Sequence, residues 1–163
     1  MKTLLDPDLE VRQVALGSVA GFLAFGFGSG LSRFAPGTMG TLVAIPFVFL
    51  LKPLPAPIYW ALLLFLFLLG VYLCGKTAKL LGKHDPGGIV WDEMVAFWLT
   101  ASFIPAEWPW LLAAFILFRL FDILKPWPIR QSETLFRGGL GIMVDDIIAA
   151  LYAMVVLGAF QFL

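Results

Sequence analysis

Apolar residues run in long blocks along this chain, and polar residues collect in the gaps between them. The longest charge-free stretch is Pro53 to Gly75, and its core, Ile58–Cys74, has the length of a membrane-spanning helix. Ile142–Leu163 is also long enough to span, with two acids near its start. Trp108–Leu124 forms a third block, carrying Arg119 and Asp122 in its last turns. Ile89–Ile104 forms a fourth, with two acids in its first turn. Met39–Leu51 is charge-free but short, with Pro46 inside, and predicts a tilted, kinked or re-entrant segment. Val14–Gly28 is apolar but rich in Gly and Ala. The pattern predicts an all-α polytopic membrane bundle of four to six apolar segments. It reads as one domain over residues 1–163, with a polar N-terminal tail at 1–13.

Composition supports that class. Hydrophobic residues make up 61% of the chain and charged residues 13%, against about 45–50% and about 25% in a soluble domain. A formal net charge of zero gives no sign of nucleic-acid binding. One cysteine, Cys74, excludes an intrachain disulfide and a cysteine-rich metal site. The N-terminus carries acids and Pro7 before any apolar stretch, so no cleavable signal is evident.

The connectors sort by charge. Gly28–Thr38 holds Arg33; Gly75–Gly88 holds Lys76, Lys79 and Lys83; Lys125–Gly141 holds Lys125, Arg130 and Arg137. The connectors of opposite parity, Lys52–Pro57 and Pro105–Pro109, are short and nearly free of Lys and Arg. If each block crosses once, the three basic connectors share a side, and the excess of Lys and Arg makes that side cytoplasmic. The acids at the block ends fall at the same face. Asp6, Asp8, Glu10, Asp85, Glu107 and Glu133 lie in predicted tails or loops, where solvated charge is ordinary.

Five acids are not ordinary. Asp92 and Glu93, Asp122, and Asp145 and Asp146 lie at the ends of three apolar blocks. Carboxylates on neighbouring helices supply the oxygen donors that hard cations such as Mg2+ prefer. Within each pair the side chains diverge by about 100°, so one member can support the other rather than ligate. The structural alternative is a set of interfacial acids paired with Arg119, Lys125 or Arg130.

Two features offer a place for phosphate beside such a cation. Arg119, Asp122 and Lys125 are spaced i, i+3, i+6, roughly along one helix face. Two cations flanking one acid suit a phosphate next to a metal, although an ion-pair ladder with Lys125 snorkelling to the interface gives the same spacing. The segment Gly26–Thr41 is rich in glycine and contains Ser29, Arg33, Thr38 and Thr41. Glycine-rich turns let backbone N–H groups approach an anion, and a helix starting near Thr38 favours phosphate at its N-terminus. Close helix packing through small residues is the structural alternative. The segment has no Gly-Lys-Ser/Thr ending, so nucleotide binding is not expected. Leu80 stands six after Cys74, which excludes the Cys-x5-Arg phosphatase pattern, and a single histidine, His84, excludes a histidine-phosphoenzyme pair.

GSGLSRFAPGTMGTL (Gly28–Leu42), HDPGGIVWDEMVAFW (His84–Trp98), FRLFDILKPWPIR (Phe118–Arg130) and GGLGIMVDDIIAA (Gly138–Ala150) together resemble the phosphatidylglycerophosphatase A family of bacterial membrane phosphatases. The motifs keep order and spacing from about Gly26 to Ala150. Ala96 and Phe97 stand where a glycine is expected soon after the Asp-Glu pair. The resemblance implies a Mg2+-dependent phosphomonoesterase acting on phosphatidylglycerophosphate, a phospholipid, at the cytoplasmic face of the inner membrane. Asp92, Glu93, Asp122, Asp145 and Asp146 would hold Mg2+ and serve catalysis, and Ser29, Arg33, Thr38, Arg119 and Lys125 would bind phosphate. Two other classes fit clustered acids in membrane helices: a small cation transporter, and a non-catalytic scaffold using the acids for subunit ion pairs.

Overall fold

The computed structural model describes residues 7–84 and 86–161. Asp6 and Asp85, expected above to be solvated acids, lie outside the described residues. Among the described residues eight α-helices follow in order: α1 (Pro7–Leu16), α2 (Val19–Ala24), α3 (Pro36–Leu51), α4 (Ala56–Leu80), α5 (Trp91–Ser102), α6 (Trp108–Leu124), α7 (Ile129–Leu135) and α8 (Gly139–Gln161). A short 3-10 turn at Ser29–Leu31 joins α2 to α3. Among the described residues there is no strand.

Local chemistry sets the ends of the helices. Ser18 caps α2, its Oγ accepting from the Gly21 N–H at 3.0 Å. Pro lies in the first turn of α3, α4 and α6, where its missing N–H costs nothing. Thr41 Oγ1 donates back to the Gly37 carbonyl at 2.8 Å. Lys125 closes α6 just before Pro126, a residue whose ring disfavours the helical conformation on its N-terminal side.

Among the described residues, two helices are long and apolar enough to cross a membrane. α4 has 25 residues, about 37 Å of helix, and α8 has 23, about 34 Å. Both exceed the hydrocarbon thickness of about 30 Å. Their outer faces are apolar. Trp60, Leu64, Leu68 and Tyr72 recur every fourth residue on α4 and are all exposed. Trp108, Leu112, Ile116 and Leu120 form the same kind of stripe on α6. Water is a poor neighbour for stripes of this extent, which suit an apolar partner or lipid.

α5 differs from its sequence-based expectation in a useful way. It has 12 residues, about 18 Å, too short to span alone. It packs against α3, α4, α6 and α8. Its apolar character comes from enclosure by protein, because residues on every side of it are buried. The indole of Trp98 donates to the Ala44 carbonyl at 2.9 Å and that of Trp91 to the Leu66 carbonyl at 3.1 Å, so the two buried rings leave no orphan donor. Tyr59 Oη donates to the Trp98 carbonyl at 2.7 Å.

Glycines set how closely the long helices approach. A Cβ on Gly139 would overlap the Val71 carbonyl and the Gly75 nitrogen of α4, and one on Gly75 would press on Gly139. Cys74 is buried in this seam with its Sγ 3.9 Å from Met143 Sδ. Gly139→Ala is therefore expected to lower the melting temperature in detergent, costing about 1–3 kcal/mol for an overpacked contact. Gly87→Ala, where an added Cβ meets nothing, is the matched control. An unchanged melt for Gly139→Ala would show that α4 and α8 can separate freely.

Candidate active site

α3, α5 and α8 run in the same direction, and contacts at their C-terminal ends show it. Lys52 at the end of α3 donates to the Ser102 carbonyl at the end of α5 at 3.0 Å. Gln161 at the end of α8 donates to the Phe103 carbonyl at 3.1 Å. At the other face lie the starts of α3, α5 and α8 and the end of α6. Three helix N-termini converge there, each with partial positive charge. That charge favours the anions gathered between them.

All five candidate carboxylates occupy this region. Asp92 and Glu93 come from the first turn of α5, Asp122 from the last turns of α6, and Asp145 and Asp146 from the second turn of α8. Asp92, Asp145 and Asp146 are buried, at 8%, 5% and 3% exposure. One oxygen each from Asp92, Glu93 and Asp146 fall within 4.8 Å of one another. Asp122, Asp92, Glu93 and Asp145 all lie within Coulombic reach of Asp146. Asp146 Oδ2 is buried and has no hydrogen-bond partner. A buried carboxylate oxygen without a donor is costly, and three carboxylates facing one point repel. A hard cation cancels both penalties, and an all-oxygen donor set suits one. The residues present therefore fit a metal ion.

Two cations bind the rim of the cluster. Arg119 Nη1 donates to Asp122 Oδ2 at 2.5 Å and to Glu93 Oε1 at 3.3 Å, tying α6 to α5. Lys125 Nζ lies 3.0 Å from Asp145 Oδ2, tying the end of α6 to α8. The i, i+3, i+6 face expected along α6 thus ends at Asp122. Lys125 has left the helix with φ 44°, and its amine reaches across to α8 instead. Arg119 Nε is buried without a partner, so this guanidinium keeps an unused donor beside the carboxylates.

The glycine-rich segment meets the cluster at one point. Gly37, in the first turn of α3, backs onto Glu93 Oε1 and Arg119 Nη1, which occupy the place a Cβ would take. Sequence reasoning missed Gly37 as a wall of the site; the signal available was its position between Pro36 and Thr38 at a helix start. Ala35 before it takes the left-handed conformation, with φ 43°, which is disfavoured for a residue with a side chain. Ala35 and Lys125 place two such backbone distortions next to the cluster, a pattern common at functional sites.

Thr38 is half-buried one residue beyond Gly37. Ser29 lies in the 3-10 turn with its Oγ buried and unpartnered, close to Gly26 and hence to Val90 and Met94 of the α5 entry. Arg33 is exposed and lines a separate cavity of about 450 Å3 rather than the carboxylate cluster. His84 is exposed in its loop.

The site is recessed. Trp91, adjacent to Asp92, packs at the level of Gly70 on α4, ten residues or about 15 Å from the end of that helix at Leu80. The non-helical backbone that reaches this depth is covered by protein: Val90 N–H donates to the Ala24 carbonyl at 2.9 Å, and Gly30 backs onto the Gly88 carbonyl. Irregular backbone at such depth needs cover of this kind.

A family model and curated proteins match the chain. The family model for phosphatidylglycerophosphatase A matches residues 22–161. A phosphatidylglycerophosphatase A of Escherichia coli is 51% identical over 128 residues, covering 78% of this chain and 74% of that protein. One of Haemophilus influenzae is 47% identical over 154 residues, covering 93% and 94%. A Bacteroides thetaiotaomicron protein named "Putative phosphatidylinositol-3-phosphatase" is 41% identical over 141 residues, covering 81% and 87%. No solved structure matches the chain significantly. The matched segment contains all four motifs and the five clustered carboxylates, and the chain belongs to the phosphatidylglycerophosphatase A family, a family of phosphatase enzymes.

Proposed function

We propose that the protein hydrolyses the terminal phosphomonoester of phosphatidylglycerophosphate, in a Mg2+-dependent reaction, to phosphatidylglycerol and inorganic phosphate. The observation that carries this reading is the buried Asp92–Glu93–Asp146 cluster with Arg119 against it. Relatives named for the same activity support the choice of substrate. Asp92, Glu93 and Asp146 hold the ion, with Asp122 and Asp145 completing or supporting the set. A divalent cation there supplies positive charge to the phosphoryl oxygens and acidifies water. Arg119 and Lys125 stabilise the charge that develops on phosphorus-bound oxygen. A carboxylate of the cluster takes a proton from the attacking water. The new P–O bond forms as the bond to the glycerol oxygen breaks, and that oxygen leaves with a proton. Ser29, Thr38 and the α3 N-terminus position the phosphate, and Arg33 draws in the headgroup.

The membrane placement belongs to the same proposal. α4 and α8 cross the full thickness of the bacterial inner membrane, α3 (16 residues) and α6 (17 residues) cross with their flanking turns where the bilayer thins, and α5 with its covered entry loop runs between the site and the far face. That gives a multi-pass bundle within the four-to-six range, with Lys76, Lys79, Arg130 and Arg137 on the cytoplasmic side. The acyl chains stay in lipid along the outer stripes.

Substitution tests the site. Asp92→Asn, Asp122→Asn and Asp145→Asn are expected to lose most Mg2+-dependent phosphate release in detergent micelles while keeping helical content. Full activity in all three would overturn the assignment. A transporter would instead move metal across proteoliposomes without releasing phosphate, and a scaffold would do neither.

A further inference from the structure

A polar cavity of about 450 Å3 lies beside the carboxylates. Arg12 of α1, Ser32 and Arg33, Pro36 at the start of α3, and Gly88 help line it. Among the described residues neither guanidinium has an ion-pair partner. Two like charges facing one hollow favour an anion between them, and the guanidinium fork matches phosphate oxygens. Position gives the cavity its meaning. Pro36 lines it, and the next residue, Gly37, lies against Glu93 and Arg119. Neighbouring Cα atoms are about 3.8 Å apart, so the cavity and the carboxylate cluster share the first turn of α3 as a common wall. A short molecule with two anionic groups would place one on each side of that wall.

The geometry points to the Arg12–Arg33 cavity as a subsite for the phosphodiester of a lipid whose scissile phosphomonoester sits at the Asp92–Glu93–Asp146 cluster. This rests on the lipid-phosphatase reading above and makes it more specific. A lipid with a diester and a terminal monoester fills both places. Phosphatidic acid, which has a monoester and no diester, fills one. Arg12 precedes the family-matched segment, which begins at residue 22, so half of the subsite lies outside the family model.

The test separates the two anions. Binding of short-chain phosphatidylglycerol (diester only) and short-chain phosphatidic acid (monoester only) is measured on the full chain in neutral detergent with Mg2+. Arg12→Gln is expected to weaken phosphatidylglycerol by about tenfold, the loss of one charge-assisted contact, and to leave phosphatidic acid within twofold. Arg12→Lys, which keeps the charge, recovers part of the loss. Equal weakening of both lipids, or of neither, overturns the subsite. So does a loss seen only when the surrounding lipid is anionic, which would assign Arg12 to the membrane surface. Phosphate release by the wild type is scored separately. If it is absent while Arg12-dependent binding persists, the phosphatase reading fails and the diester site stands.

Discussion

Asp146→Asn is expected to lower Mg2+-dependent phosphate release by roughly two to three orders of magnitude, the usual cost of losing one preorganised electrostatic group. Asp146 is 3% exposed and its Oδ2 has no hydrogen-bond partner, a costly setting for a carboxylate that a bound cation would offset. Asparagine keeps the shape and removes that charge. The same change relieves repulsion among Asp92, Glu93 and Asp146, so the metal-free variant melts no lower than the wild type. Metal linkage gives an independent readout. Mg2+ at about a hundred times its dissociation constant would add about 2.7 kcal/mol to the wild type, and Asp146→Asn is expected to lose that gain. A variant that still melts higher with Mg2+, and still releases phosphate, would remove Asp146 from the metal site.

Gly37→Ala is expected to reduce activity by about a hundredfold, the scale of an ångström-level misplacement in a catalytic site. The added methyl would occupy the space of Glu93 Oε1 and Arg119 Nη1. Either the Glu93–Arg119 pair or the start of α3 must move. The overpacking costs about 1–3 kcal/mol of stability, and helical content stays near that of the wild type. The decisive pattern is a large loss of kcat with a small loss of stability. Gly87→Ala, with open space around it, leaves both unchanged. If Gly37→Ala is as active as the wild type, the start of α3 does not shape the site.

The two predictions differ in how far they could be read before the fold was known. Asp146 stands out in sequence because an acid inside an apolar block is expensive in lipid. Gly37 does not, because a glycine in a glycine-rich segment has many uses. Only the approach of α3 to α5 shows that its missing Cβ is what lets Glu93 and Arg119 occupy that place. Arg33 shows the opposite limit. Its motif suggested phosphate, but the fold places it in the cavity with Arg12, a residue with no sequence signal of its own.

The apolar blocks determined where most helices would form, because burial and lipid both select for uninterrupted apolar residues. Trp108–Leu124 was legible to the residue, and the shared face of the acids followed from alternating direction and connector charge. What surrounds each block was decided by tertiary structure. α5 and α4 look alike in apolarity, yet α5 is enclosed by four helices and α4 presents a bare stripe. Hydrophobicity records the absence of water and does not distinguish protein from lipid as the replacement. The grouping of the acids had the same limit. Five were visible along the chain, but packing alone brought Asp92, Glu93 and Asp146 to one point, and set Asp122 against Arg119 and Asp145 against Lys125. Ion pairing depends on distances of a few ångströms between helices, and those distances are set by how side chains and glycines fill the seams.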